Sequence, residues 1–257
     1  MQAIITAGGT LKADDPLFAE TGIALKALLP IGGKPMIRWV ADALIGSKYV
    51  ERLVIVGLKP GDFDDSGLPV DYVASRGNIV DNVLAGWEQV ERTEPDATKV
   101  LLCSSDIPLI TPQIVDEFVE TCLADDADVH YTIVEKQTME ARFPHSNRTF
   151  TRMKGGSYAG GDILLVDRKA VKANLELIRG LTGQRKNFLA QARMIGFVFI
   201  FRFLFRLMDV KEAEWRAGKA LNLNGRVLDY PRAEVAMDVD KLHQYHLVKR
   251  ELEAQVA

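Results

Sequence analysis

The chain has 257 residues, 47 % of them apolar, which is enough for the core of one large α/β domain. Its net charge of −3, from 32 basic and 35 acidic side chains, argues against a dedicated nucleic-acid binder. The two cysteines match no metal or redox spacing, and the N-terminus has no basic region and no cleavage site, so a reduced, cytoplasmic protein without a signal peptide is expected.

The first predicted element is a β-branched strand at Ala3–Ile5, of the kind that lies buried near the middle of a parallel sheet. Gly8 and Gly9 follow it, and this pair predicts a loop of positive φ whose bare amides cradle phosphate. A plain tight turn is the alternative. With Lys26 and Lys34 after it, the loop indicates a nucleoside triphosphate site.

Two other phosphate-binding motifs do not fit these residues. A Walker A loop has Ser or Thr after Gly-Lys, whereas Pro35 follows Lys34. A dinucleotide fingerprint has three spaced glycines, whereas here the glycine pair runs into the polar segment Thr10–Leu25. That segment is expected to be a flexible flap, because it offers little to bury.

Strands and helices then alternate, which is typical of βαβ units and an α/β fold. Helices are predicted from Pro35 to Gly46, at Ile79–Val90 and at Pro112–Leu123, and strands at Arg52–Gly57, Asp71–Ala74, Lys99–Ser104 and Asp128–Val134. Asn78 precedes a helix at the carboxyl edge of the sheet. It serves either as a helix N-cap or as a contact to base or ribose.

Asp106 follows the strand Lys99–Ser104, and Pro108 fixes the turn after it. A carboxylate at the end of a central strand, facing the glycine loop, is well placed to hold Mg²⁺ on a triphosphate. A turn-forming aspartate is the alternative.

Three segments in this order, TAGGT, LKALLPIGGKPMI and LLCSSDIPLIT, resemble the MobA-like and sugar-phosphate nucleotidyltransferases. The resemblance implies a Rossmann-like, glycosyltransferase-A type fold: three α/β/α layers with a mixed, mostly parallel central sheet. It implies that Lys26 and Asp106 are catalytic and that Asp106 binds Mg²⁺. The nucleotide-binding residues that we expect are Ala7, Gly8, Gly9, Thr10, Lys26, Asn78 and Ser105. The family's loop arginine falls near Ala13, with only Lys12 beside it, so the base preference stays open between CTP and GTP.

The second half carries a basic stretch, Arg142–Lys154. If Thr149–Met153 is a strand, Arg148, Arg152 and Lys154 share one face, which suits a phosphorylated acceptor. A solvated edge strand is the alternative.

A glycine-rich turn is predicted before the strand Ile163–Val166. In the family a comparable turn lines the acceptor pocket, so Gly160, Gly161 and Asp162 are expected at the acceptor, together with Lys186.

The most hydrophobic stretch, Met194–Met208, is interrupted by Arg202 and Arg206 and is too short to span a bilayer of roughly 30 Å. Burial in the core or in a homodimer is one interpretation. Peripheral membrane contact, or a channel for a lipid-linked acceptor, is the other.

A short strand before the last helix supplies the family's second metal carboxylate, and the resemblance assigns this role to Asp238. Asp240 is expected to cap the terminal helix, since aspartate is favoured there.

These residues predict a Mg²⁺-dependent nucleotidyltransferase that transfers a nucleoside monophosphate from an NTP to a phosphorylated acceptor and releases pyrophosphate. The expected organisation is one domain, with residues 1–135 as the nucleotide half and 136–257 as the acceptor half, including a hydrophobic helical insertion at about 187–221. One alternative is a glycosyltransferase of the same fold, although Ser104-Ser105-Asp106 lacks the first carboxylate of its Asp-x-Asp motif. Another is a non-catalytic nucleotide-binding protein.

Overall fold

The structure is a computed structural model that describes residues 1–171 and 208–256. Its strands are β1 Gln2–Thr6, β2 Pro30–Ile31, β3 Lys34–Pro35, β4 Arg52–Val56, β5 Val70–Val73, β6 Lys99–Ser104, β7 Val129–Glu135, β8 Thr151–Met153, β9 Gly156–Asp167 and β10 Gly225–Asp229. Its α-helices are α1 Pro16–Thr21, α2 Met36–Ile45, α3 Ile79–Thr93, α4 Pro112–Leu123, α5 Lys136–Arg142, α6 Val210–Leu221 and α7 Leu242–Val256.

Over the described residues, the main sheet has the strand order β10-β7-β9-β6-β1-β4-β5, with β8 paired to β9. The strands β6, β1, β4 and β5 run parallel to one another, as do β10 and β7. The long strand β9 runs antiparallel between β6 and β7. The sheet is therefore mixed and mostly parallel, as predicted.

Helices cover both faces of the sheet. Successive residues of its central strand β1 point to opposite faces and pack against different helices. Ile4 and Ile5 of β1 are both fully buried, but they belong to different core clusters. Ile5 packs in the cluster that contains residues of α2 and α4, whereas Ile4 packs with Trp87 of α3. This arrangement confirms the three-layer α/β/α architecture.

The segment predicted to be a flexible flap has more structure than expected. It contains α1, whose N-cap Asp15 accepts a hydrogen bond from the Leu17 N–H at 2.8 Å. Leu17 is fully buried in the core, and Thr10 pairs with Leu25 in an antiparallel bridge. The prediction of a flap was wrong because the apolar residues of this segment are irregularly spaced, so the sequence has no periodic signal that marks Leu17 as buried.

The glycine-rich turn predicted before the strand Ile163–Val166 is also wrong, because Gly160 and Gly161 lie inside β9. A Cβ on Gly160 would lie 2.4 Å from the Tyr131 hydroxyl, and one on Gly161 would lie 2.1 Å from Thr132 Oγ1. The pairing of β7 with β9 shifts register at this point. These glycines therefore make room for side chains of the neighbouring strand.

Part of the second half falls outside the described residues: Lys186, residues 194–207 of the hydrophobic stretch, and residues 187–207 of the predicted insertion. Residues 168–171, the last described before this gap, are helical. Among the described helices, none combines the length and apolar character that a bilayer span requires.

Candidate active site

A cavity of about 350 Å³ lies at the carboxyl ends of β1, β5 and β6. Its lining residues are Thr6, Gly8, Gly9, Lys26, Ser75, Gly77, Asn78, Ile79, Asn82, Ser104, Ser105 and Asp106. Ligands of open α/β sheets bind at this edge, because the strands end there and the loops that follow them diverge.

The glycine loop enters the cavity through close backbone packing, and not through the positive φ expected for it. Neither Gly8 nor Gly9 has a positive φ. Gly57, at φ 109°, packs so closely that a Cβ there would lie 2.4 Å from Gly8 Cα. A Cβ on Gly8 itself would lie 3.0 Å from Ser75 Oγ. Glycine is needed here because the loop is held between two neighbouring segments.

Lys26 connects the glycine loop to the acidic residues of the site. Its N–H donates to the Gly9 carbonyl at 3.0 Å, and its Nζ donates to Asp106 Oδ2 at 2.6 Å and also to Asp240. Burial acts to lower the pKa of Lys26, but the two carboxylates outweigh it, so the net shift of the pKa is upward. Lys26 is therefore charged at neutral pH.

Three carboxylates meet beside Lys26. One oxygen from each of Asp106, Asp238 and Asp240 lies within 4.8 Å of the other two. The Val239 N–H donates to the Asp106 carbonyl at 3.0 Å, which attaches the C-terminal segment to the end of β6. We call these three residues the acidic cluster.

The expected role of Asp240 as a helix N-cap is wrong. Its side chain turns to Lys26, and α7 begins two residues later. Gln244 Oε1 instead accepts the N–H groups of Asp240 and Lys241, at 3.0 and 2.9 Å. A side chain from within the helix thus satisfies amides at its start.

Two further charged residues face the acidic cluster. Arg148 forms an ion pair with Asp238. Burial raises the pKa of Asp162 to about 7, with Asp106 adding to the increase and Arg148 opposing it. Asp162 therefore lies within electrostatic reach of the cluster.

The donor set fits Mg²⁺. The acidic cluster gives three carboxylates against two cations, Lys26 and Arg148. An excess of converging carboxylate oxygens is the environment that a hard divalent cation prefers.

The structure brings most of the predicted nucleotide residues together. Gly8, Gly9, Lys26, Asn78 and Ser105 line the cavity, and so does Asp106, which was predicted as a catalytic and metal-binding residue. Ala7 does not, since it is buried with its N–H bonded to the Val56 carbonyl, and Thr10 pairs outside the cavity with Leu25.

The structure places some of the predicted acceptor residues beside the acidic cluster and others away from it. Arg148 and Asp162 join the acidic cluster, whereas Gly160 and Gly161 pack against β7. The shared face predicted for Arg148 and Arg152 is wrong, because β8 spans only Thr151–Met153 and Arg148 precedes it. Arg152 is exposed.

The sequence did not point to several cavity residues, namely Thr6, Ser75, Gly77, Ile79, Asn82 and Ser104. Position at the end of a predicted strand was the available signal for Thr6 and Ser104. Asn82 lies one helical turn after Asn78, so helical spacing placed both on one side of α3. Asn78 itself caps α3 by accepting the Asp81 N–H at 3.0 Å.

The sequence model of the MobA-like NTP transferase domain family matches residues 21–194. No curated protein matches the chain. A solved structure described as a hypothetical transferase from Thermus thermophilus is 32 % identical, with a TM-score of 0.78, and the match covers 95 % of this chain and 100 % of the other.

Two more distant solved structures share the fold. The CMP:2-keto-3-deoxy-manno-octonic acid synthetase complexed with CTP is 15 % identical, with a TM-score of 0.61 and coverage of 100 % of this chain and 99 % of the other. The 2-C-methyl-D-erythritol 4-phosphate cytidylyltransferase from Thermus thermophilus is 11 % identical, with a TM-score of 0.54 and coverage of 98 % and 99 %.

Proposed function

The chain belongs to the MobA-like NTP transferase family of nucleotidyltransferases, and on that premise we propose that it transfers a nucleoside monophosphate from CTP or GTP to a phosphorylated acceptor. Pyrophosphate is the second product. The observation that carries the proposal is the meeting of the glycine loop, Lys26 and the acidic cluster at one cavity.

Lys26 and the glycine loop bind the triphosphate in this proposal. The charge of Lys26 lies where the cavity meets the acidic cluster, so it stabilises negative charge on the phosphates. Because Gly8 and Gly9 have no side chains, their backbone amides can approach phosphate oxygens closely. Bound Mg²⁺, held by Asp106 and Asp238 with Asp240 beside them, would neutralise phosphate charge.

Arg148 is the acceptor residue that the geometry favours. Its side chain is 11 % exposed and lies on the Asp238 side of the cluster, within electrostatic reach of Asp162. A guanidinium there orients an anionic acceptor by paired hydrogen bonds. Because a phosphate oxygen is already ionised, its attack on the α-phosphorus requires no general base. Positioning and charge compensation are sufficient.

The two halves of the chain divide the two substrates between them. The first half of the chain binds the nucleotide, and the second half binds the acceptor, which is either a small molecule or lipid-linked. The protein acts in the cytoplasm, alone or as a homodimer, without nucleic acid. Flotation with anionic liposomes tests membrane contact through 194–208, and size-exclusion chromatography tests the dimer. Wild-type protein that does not float rules out the membrane contact.

Pyrophosphate release tests the transfer. Each NTP is incubated with Mg²⁺ and a panel of phosphorylated sugars, polyols and pterins, with Asp106→Asn as the matched control. The proposal predicts release that requires both substrates and is lost in the variant. NTP binding without release from any pair would favour a non-catalytic nucleotide-binding protein. Turnover of a sugar nucleotide instead would favour the glycosyltransferase.

A further inference from the structure

The two cations beside the acidic cluster lie on different cavities. Lys26 lines the nucleotide cavity and pairs with two of the three carboxylates. Arg148 pairs with the third, Asp238, and lines a second cavity of about 440 Å³ whose lining residues fall within 136–150. The chain itself therefore supplies a counter-ion for every carboxylate of the cluster, and Arg148 lies where the cluster meets the second cavity.

The backbone that carries Arg148 is joined to the backbone that carries Asp238. Gln244 is 1 % exposed, and its Oε1 accepts the N–H of Asp240, two residues after Asp238, at 3.0 Å. Its Nε2 donates at 3.4 Å to the carbonyl of Ser146, two residues before Arg148. One amide side chain thus connects the two segments that form the ion pair. A change of partner by Arg148 therefore takes place in its side chain.

Asp238 satisfies the Arg148 guanidinium only in part. The Arg148 side chain is 11 % exposed, and its Nε is buried and has no hydrogen-bond partner among the residues that the structure describes. A buried N–H without an acceptor costs free energy. A phosphate group offers several oxygens to the donors of a guanidinium and can accept from two of them at once. Phosphate is therefore a more complete partner for Arg148 than Asp238 is.

The charge of the cluster gives Arg148 a reason to change partner. In the metal-free protein three carboxylates face two cations, which leaves one negative charge. A divalent ion held beside both cations would make the total positive and place like charges side by side in a partly buried site, which is unfavourable. An anionic substrate compensates each cation that leaves a carboxylate. In the proposed function the triphosphate lies on the Lys26 side, and the acceptor phosphate lies on the Arg148 side.

We propose that Arg148 competes with Mg²⁺ for Asp238, and that Arg148 leaves Asp238 for the acceptor phosphate when the cluster is loaded with metal. The inference rests on the proposed function and deepens it, because one side chain then couples the metal to the acceptor. Removal of Arg148 should therefore tighten metal binding. A residue that supported the metal site would have the opposite effect.

Electron paramagnetic resonance of Mn²⁺, titrated without nucleotide, tests the competition. Arg148→Gln should bind Mn²⁺ at least about tenfold more tightly than the wild type, because a competing like charge is removed. Arg142→Gln is the matched control and should bind like the wild type, because Arg142 pairs with Glu234 and Glu251 outside the cluster. In an Asp238→Asn background, Arg148→Gln should raise the affinity much less, because the carboxylate for which the two cations compete is absent.

Calorimetric titration with inorganic phosphate in EDTA tests the release of Arg148 without any metal. Asp238→Asn removes the partner of Arg148, so the metal-free variant should bind phosphate several-fold more tightly than the metal-free wild type. The gain should disappear when Arg148→Gln is added to Asp238→Asn, because the released side chain is then absent.

The outcomes separate this proposal from the one on which it rests. Equal or weaker Mn²⁺ binding by a folded Arg148→Gln would overturn the competition and leave the transferase assignment intact, since pyrophosphate release tests that assignment separately. Phosphate binding by Asp238→Asn that is no tighter than that of the wild type would overturn the release. If Arg148→Gln does not fold, the phosphate comparison of Asp238→Asn with the wild type decides alone. If none of the proteins binds Mn²⁺, even with CTP or GTP, both proposals fall.

Discussion

Replacing Asp162 with asparagine should make the metal-free protein more stable at neutral and alkaline pH. The carboxyl group has a pKa of about 7 in the folded chain against an ordinary value of 3.8. At a pH between 3.8 and about 7, the Asp162 carboxyl group is ionised in the unfolded chain but still protonated in the folded chain. Stability therefore falls as pH rises through this window, and it levels off above the folded pKa. The asparagine variant does not titrate there.

The size of the effect follows from the difference in pKa. About 3 units correspond to an upper limit of about 4 kcal/mol, of which about 3 kcal/mol is lost between pH 5 and pH 8. For a chain of this length that is a change of very roughly 10 °C in Tm.

Urea unfolding of the wild type and Asp162→Asn in EDTA, at intervals from pH 5 to pH 8, measures this effect. The difference in unfolding free energy between the two proteins cancels the titration of groups that Asp162 does not influence. It should grow in favour of the variant as pH rises. A difference that stays constant with pH would show that Asp162 is not buried beside the acidic cluster.

Three further predictions, two of them with a control substitution, test the site and the sheet. Asp106→Asn should abolish pyrophosphate release while leaving the thermal unfolding curve close to that of the wild type; near-normal release by the pure variant would remove Asp106 from the site. Lys26→Ala should weaken triphosphate binding by roughly tenfold, because one charge-assisted contact is lost. Lys34→Ala is the control and should change triphosphate binding little, because Lys34 pairs with Asp42 and lies 3.9 Å from the Trp39 ring centroid. Equal losses of affinity in the two variants would contradict the assignment of Lys26 to the triphosphate. Gly161→Ala should cost about 1–3 kcal/mol, measured by urea unfolding, because its Cβ would overlap a side chain of β7. Gly9→Ala is the control and should reduce the free energy of unfolding much less, because its Cβ would lie 3.7 Å from the nearest atom. A similar loss in both variants would show that the backbone of β9 shifts to accommodate the added methyl group.

Local signals predicted much of the fold. The bounds of β6 and α4 agree with the structure because a buried apolar run ends at Ser105-Asp106 and because Thr111-Pro112 is a strong helix start. The metal-binding role that we propose for Asp106 followed from its position at the end of a central strand, and that of Asp238 followed from the family resemblance. The structure places both residues in one cluster.

The remaining features depend on contacts between segments far apart in the chain. Asp240 appeared to be a helix cap because its true partner, Lys26, is more than 200 residues away in the sequence. Gly161 appeared to be a turn residue because the side chain it must avoid belongs to β7. Asn82 was not predicted as a cavity residue because the cavity forms only where the ends of β1, β5 and β6 meet in the folded chain. Local propensity contains none of this information.

Electron paramagnetic resonance of Mn²⁺ in place of Mg²⁺, titrated into the protein with CTP or GTP, shows whether the acidic cluster holds a divalent ion. We expect one tightly bound ion per chain, with affinity weakened at least tenfold in Asp106→Asn and in Asp238→Asn. The affinity should be unchanged in Asp71→Asn, which alters a carboxylate on β5 outside the acidic cluster. The absence of bound Mn²⁺ in the wild type, or equal affinity in all four proteins, would contradict this expectation.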